Sequence, residues 1–241
     1  MNFIKKLFLG KKACSESYIK HLRKIGVEIG ERTVFYDARS CHVDETRPFL
    51  IKIGENVQIT RGVTILTHGY DWSVLKNKNG VVLGSGGKVI IGNNVFIGAH
   101  TTILKGVEIG NDVIIGANSL VNKSLESGFV YAGNPVKKIC SIDEYFNKRK
   151  GLQVKEAKDI YDCYVERFGK EPPMEIFAEF FWLFWKREDP LPQVFSNVMA
   201  LTGNFAESME SFTSMPPQFN GYEEFLSFLK GEKYFGNVYY N

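Results

Sequence analysis

The sequence predicts a mainly β chain, a parallel β-helix of stacked coils followed by an α-helical C-terminal region. The first observation behind this is a repeat: Ile91, Ile97, Ile103, Ile109, Ile115 and Val121 fall every sixth residue without a miss. The second is a companion track, Val95, Thr101, Val107, Val113 and Ser119, four residues after each aliphatic. Period six is neither the helical 3.6 nor the alternation of a half-buried strand, so it describes coils stacked on one another. No coil buries its aliphatic row alone, and the row becomes a ladder only when coils stack. Gly92, Gly98, Gly110 and Gly116 follow four of the six aliphatics and mark corners, where a Cβ would clash. The third observation is a change of composition at Cys140, after which the pattern becomes helical.

The segment IGNNVFIGAHTTILKGVEIGNDVIIGANSLV, with AGNPVKK beyond it, resembles the hexapeptide-repeat acyltransferases, of the type that O-acetylates sugars and polysaccharides. The likeness covers about residues 29–139. It implies a left-handed β-helix, acetyl-coenzyme A as acyl donor, no metal, and a homotrimer. The expected division is an N-terminal helical segment at 1–24, the β-helix at 25–140 with an inserted loop at 69–88, and a helical region at 141–241.

Composition sets outer limits on function. Thirty Lys and Arg against 27 Asp and Glu leave a net charge of +3, which argues against nucleic acid as a partner. Cys14, Cys41, Cys140 and Cys163 are scattered without a CxxC pair, as suits reduced thiols in a cytoplasmic protein. The basic start, Met1 to Lys12, has too short an apolar core for a signal peptide. It reads either as a weak surface-binding segment or as the lead into an amphipathic helix at about Ser15 to Lys24.

The hexad register runs backward from Ile65 through Ile59, Ile53, Arg47, Cys41, Phe35 and Ile29, with Arg47 and Pro48 marking irregular coils between about Arg39 and Leu50. Between Ile65 and Ile91 lie 26 steps, four hexads plus two, so the register is interrupted there. The surplus residues, Gly69 to Lys88, are expected to leave the coil as a loop, and long loops on rigid scaffolds commonly carry function.

His68 stands where that loop departs, in ILTHGYDW. The resemblance makes it the catalytic base. A neutral imidazole suits the task of taking a proton from a hydroxyl as that hydroxyl attacks a thioester. Such a ring needs a partner to fix its tautomer. Asp44, on the more rigid coil, and Asp71, in the loop, are the candidates, with Asp44 preferred. Relatives often carry an acid directly after this histidine, where this chain has Gly69. Tyr70 and Trp72 either stack on a sugar ring or pin the loop to a neighbouring subunit. Gly84 to Lys88 fails as a phosphate loop, since Val89 follows the lysine. His42, His68 and His100 lack the close pair that the zinc enzymes of this coil type require.

For the donor, the resemblance assigns corner amides at Ala99 and Ala117, and places Lys123, Asn134 and Lys137 near the nucleotide end. An ammonium there is a point-charge partner for phosphate. Past Cys140, SIDE is a capping box with Ser141 and Glu144 as its two members. Further helices are expected at about Gln153 to Phe168 and Met174 to Arg187, the latter with Phe177, Phe180, Phe181, Phe184 and Trp185 on one face. The apolar run Phe180 to Trp185 is far below the ~20 residues of a transmembrane helix. The reading is an acetyl-coenzyme A-dependent O-acetyltransferase acting on a sugar or surface-polysaccharide precursor. The alternatives are acetylation of serine, an antibiotic or an amine, and a non-catalytic scaffold.

Overall fold

In the computed structural model, which describes residues 10–231, three parallel sheets form the faces of a β-helix. The first face stacks Glu28–Ile29, Ile51–Ile53, Val89–Ile91 and Glu108–Ile109. The second stacks Val34–Phe35, Val57–Ile59, Val95–Ile97, Val113–Ile115 and Phe129–Ala132, and the third His42–Val43, Thr64–Ile65, Thr102–Ile103 and Leu120–Val121. Lys137–Ser141 closes the second face antiparallel. Two compact units divide the chain, Met1–Tyr145 and Phe146–Asn241. Met1 to Leu9, the greater part of the basic start, lie outside the described residues.

The hexad becomes the core directly. Ile53 pairs with Ile91, Ile59 with Ile97 and Ile65 with Ile103, and all six side chains are buried. Burial of each such side chain stabilises by about 1.5–3 kcal/mol. Corner glycines are required by close approach: a Cβ on Gly54 would lie 2.5 Å from the carbonyl oxygen of Gly92 on the next coil. Residues that do take the left-handed conformation at the coil corners include Asn56, Asn94 and Asp112. Their side chains form a ladder, Asn56 Nδ2 donating to Asn94 Oδ1 at 2.9 Å and Asn94 Nδ2 to Asp112 Oδ1 at 2.7 Å. Asn and Asp tolerate this conformation better than other residues with a Cβ.

The register of the first coil differs from the expected one. Val43, not Cys41, stacks beneath Ile65, because the turn from Asp37 to Ser40 takes up two extra residues. Four more are absorbed before Ile53 by a turn that includes the 3-10 helix Pro48–Leu50. Arg47 is therefore a corner residue, outside the aliphatic row. Cys41 is buried nevertheless, as the inward residue two before Val43. The amphipathic helix at the start spans Ser15–Ile25, ends on left-handed Gly26, and buries Tyr18 and Leu22. The excursion is not a plain loop: Trp72–Asn79 is an α-helix ended by Gly80 at φ 74°.

In the second unit, the expected helix from Met174 to Arg187 is replaced by two 3-10 turns, Met174–Phe177 and Phe181–Leu183. Side-chain packing overrides helical propensity here. Phe177, Phe181 and Phe184 are fully buried with Phe195, Phe212 and Phe225. The Arg187 guanidinium, 3.9 Å from the Phe212 ring, donates to the carbonyls of Trp182, Trp185 and Met215 and so ties these turns to the segment that carries Met215. Before these turns, one helix runs continuously over Ile142–Phe168. Its capping box is formed, Glu144 N–H donating to Ser141 Oγ at 3.1 Å and Ser141 N–H to the Glu144 carboxylate at 2.7 Å. Arg149 and Glu156, in bidentate contact at 2.6 Å, bridge the exposed Gly151.

Candidate functional site

The third face delivers the site. Because Val43 pairs with Ile65, the residues that leave these two strands emerge at the same corner, one coil apart. Asp44 follows Val43, and Leu66, Thr67 and His68 follow Ile65. The Asp44 N–H donates to the Ile65 carbonyl at 3.0 Å, which fixes the backbone beneath the histidine.

The Asp44 carboxylate is buried and fully engaged. Its Oδ1 accepts from the Thr46 hydroxyl at 2.6 Å and the Thr46 N–H at 3.0 Å. Its Oδ2 accepts from the Thr67 hydroxyl at 2.5 Å and the Thr67 N–H at 3.1 Å, and stands 2.5 Å from His68 Nδ1. Burial alone would push this carboxyl up, but the bonds from Thr46 and Thr67 outweigh it and hold the group well below the ordinary carboxylate range. An ionised Asp44 can only accept, so neutral His68 carries its proton on Nδ1 and leaves Nε2 as the basic nitrogen.

His68 lines an open cleft of about 610 Å³, together with Lys11, Lys12, Glu45, Thr46 and Tyr70. Tyr70 meets the imidazole edge-on, ring centroids 5.0 Å apart, and is 67% exposed. Lys11 and His21 both contact the Glu45 carboxylate on the cleft wall, while Lys12 Nζ donates to the Cys41 carbonyl at 2.6 Å. The neck of the excursion closes beside the base: His68 bridges Gly86 antiparallel, and the Gly87 N–H donates to the Thr67 carbonyl at 2.9 Å. Arg47 reaches this neck, where a Cβ on Gly86 would meet its Nη1 at 2.5 Å.

The other expected site residues fall into separate groups. Asp71 precedes the Trp72–Asn79 helix and forms no side-chain bond to His68 among the described residues. Trp72 packs against Tyr70 at 6.2 Å rather than against the imidazole. Ala99 and Ala117 stack at the corner between the second and third faces, Asn118 N–H donating to the Ala99 carbonyl at 2.8 Å. Asn134 continues that corner, next to Gly133, whose carbonyl accepts from Leu120 N–H at 3.0 Å, and exposed Lys137 opens the final strand. Exposed Lys123 follows the third face instead and so shares the His68 corner. Within one chain, His68 and the Ala99–Ala117 edge lie on opposite borders of the third face. Sequence reasoning missed Thr46 and Thr67. Thr67 carried a signal, a polar residue two places beyond Ile65 at an inward-facing position.

The chain is similar to several known proteins. The family profile "Bacterial transferase hexapeptide (six repeats)" matches residues 88–123. Protein CapG of Staphylococcus aureus is 44% identical over 152 residues, which cover 60% of this chain and 83% of CapG. Putative acetyltransferase YvoF of Bacillus subtilis (strain 168) is 36% identical over 124 residues, 52% of this chain and 66% of YvoF. A solved maltose O-acetyltransferase from Clostridium difficile 630 is 30% identical with a TM-score of 0.38, over 53% of this chain and 75% of that one.

Proposed function

This chain belongs to the bacterial hexapeptide-repeat transferases, and from that premise we propose that it moves an acetyl group from acetyl-coenzyme A to a hydroxyl of a sugar or surface-polysaccharide precursor. The observation that carries the reading is the His68–Asp44 pair, with Nδ1 held at 2.5 Å by an ionised carboxylate beside an open cleft. An acetyl donor is supported by the likeness to a putative acetyltransferase. A sugar acceptor is supported by Tyr70, whose exposed ring beside the base offers a flat apolar surface of the kind a sugar ring packs against.

The acceptor hydroxyl attacks the thioester carbonyl as its proton passes to His68 Nε2. Asp44 stabilises the imidazolium without taking the proton itself. The tetrahedral intermediate, its oxyanion held by backbone N–H groups, collapses with cleavage of the carbon–sulfur bond. The leaving thiolate takes the proton back from His68, giving the acetyl ester and free coenzyme A. Ala99, Ala117 and Asn134 line the donor edge, with Lys137 at its nucleotide end. Because that edge and His68 occupy different corners of one chain, the working site forms between two chains of a homotrimer.

Thiol release measured across maltose, galactosides, N-acetylhexosamines, nucleotide sugars and serine tests the reading. One sugar class should accelerate release well above the acceptor-free rate. Acceleration by serine or amines alone, or by no acceptor, would overturn it.

A further inference from the structure

Arg47 carries a guanidinium that neither the coil nor the proton transfer uses. It follows Thr46 in the chain and reaches the neck of the excursion, where its Nη1 stands 2.5 Å from the position that a Cβ on Gly86 would take. Gly86 is the antiparallel partner of His68. Directly opposed residues of an antiparallel pair project their Cβ atoms to the same face, about 4.5–5.5 Å apart. The guanidinium therefore fills the side-chain space opposite His68, on the face from which the imidazole rises. The backbone does not require glycine at 86: its φ is not positive, and the nearest backbone atom to an added Cβ is the Thr67 carbonyl oxygen at 3.6 Å. What the missing Cβ makes room for is Arg47.

This guanidinium is partly buried and forms no hydrogen bond or ion pair among the described residues. The acceptors around it are taken. Both oxygens of Asp44 are engaged by Thr46, Thr67 and His68, and the Thr67 carbonyl accepts from the Gly87 N–H at 2.9 Å. Asp71 lies over Gly69, its Oδ1 2.6 Å from where a Cβ there would be, and does not pair with Arg47. A guanidinium keeps its proton, so a partly buried one is completed by an anion rather than by neutral hydroxyls alone. The cleft wall agrees, since Glu45 is contacted by Lys11 and His21 while Lys12 Nζ bonds the Cys41 carbonyl and no carboxylate. Coenzyme A does not bring its phosphates here, because the thioester that reaches His68 is at the opposite end of the pantetheine arm. Resting on the transfer reading above, we propose that the acceptor is an acidic saccharide, its carboxylate or phosphate held by Arg47 beside the hydroxyl that His68 deprotonates. Either group matches the planar fork of donors.

The test is thiol release from acetyl-coenzyme A by the full chain with matched acceptors: glucose against glucuronate and glucose 1-phosphate, and galactose against galacturonate. At least one acid should exceed its neutral parent about 10–100-fold in kcat/KM, through KM. Whether a uronate or a phosphate leads identifies the source of the anion. Arg47→Gln should erase that ratio. Gly86→Ala should erase it too, because the added methyl displaces the flexible end of Arg47 and meets no backbone atom closely. Arg47→Lys, which keeps the charge without the fork, should retain part of it. Gly84→Ala, where an added Cβ meets nothing within 4 Å, should preserve it. The proposal is overturned if neutral sugars serve as well as their acids, if Gly86→Ala keeps the ratio, or if Arg47→Gln lowers kcat equally for both members of a pair, which would make the guanidinium a stabiliser of the reacting carbonyl. If no sugar accelerates release, the transfer reading fails separately, and calorimetric titration of glucuronate and glucose 1-phosphate into the parent and Arg47→Gln chains still decides the anion site. Binding weakened at least tenfold by Arg47→Gln upholds it, and equal binding or none overturns it.

Discussion

Nδ1 of His68 stands 2.5 Å from Oδ2 of Asp44, and that carboxylate also accepts from the hydroxyls of Thr46 and Thr67. The pair rests on the rigid corner of two stacked coils, so its geometry comes from the ladder rather than from the excursion that departs beside it. Replacing Asp44 with Asn keeps the shape but removes the charge that fixes the Nδ1–H tautomer. Asp44→Asn is expected to lower kcat by about 10²-fold or more with KM for the donor nearly unchanged. Steady-state kinetics in both substrates provides the check, and parent-like kcat would remove Asp44 from the mechanism.

Thr67→Val deletes one hydroxyl bond to the buried carboxylate. The loss should cost about 1–3 kcal/mol of stability at neutral pH. The folded carboxyl lies below its unfolded value, so its stabilisation is whole above about pH 4 and is lost as pH falls toward the folded value. The gap between parent and Thr67→Val should therefore narrow in acid. Urea unfolding at neutral pH and near pH 3 measures it, and a gap that widens on acidification would contradict the assignment.

Gly54→Ala places a Cβ 2.5 Å from the Gly92 carbonyl oxygen and 2.6 Å from its carbon, which are backbone atoms fixed by the ladder. It should cost about 1–3 kcal/mol. At Gly84 an added Cβ would meet nothing within 4 Å and φ is not positive, so the same change there should be tolerated within about 0.5 kcal/mol. Thermal unfolding of the two variants side by side decides whether close approach is what requires the glycine.

Where the chain repeats, its core could be read from residue type alone, since Ile91 to Val121 keep one period over successive faces. The first coil could not be read this way. Its extra residues sit in corners that leave the faces intact, so counting by six from Ile65 lands on Arg47 and Cys41 instead of Val43. The pairing of His68 with Asp44 was partly legible, because rigidity favoured a coil residue over Asp71. Its support by Thr46 and Thr67 depends on hydroxyl directions that spacing does not encode. In the second unit, the apolar spacing marked Phe177, Phe181 and Phe184, which are buried, and Phe180 and Trp185, which are partly so. The chain reaches that burial through 3-10 turns braced by Arg187, a tertiary contact with no local signature.

His68 and the Ala99–Ala117 edge lie on opposite borders of the third face, so the proposed shared site makes a complementation prediction. His68→Ala and Ala117→Trp, each inactive alone, should regain thiol release when co-refolded, since a mixed trimer contains an interface with both parts intact. Light scattering on each variant should give about three times the 27.4 kDa chain mass. Trimers that mix without recovering activity would place both halves of the site in one chain.

The most direct measurement is acceptor-dependent coenzyme A release by His68→Ala beside the parent chain. Removal of the proton acceptor should lower the rate by about 10²–10⁴-fold, while calorimetric binding of coenzyme A and the unfolding temperature stay close to the parent values. Release within about tenfold of the parent, from a variant that still binds donor, would contradict the assignment of His68 as the base.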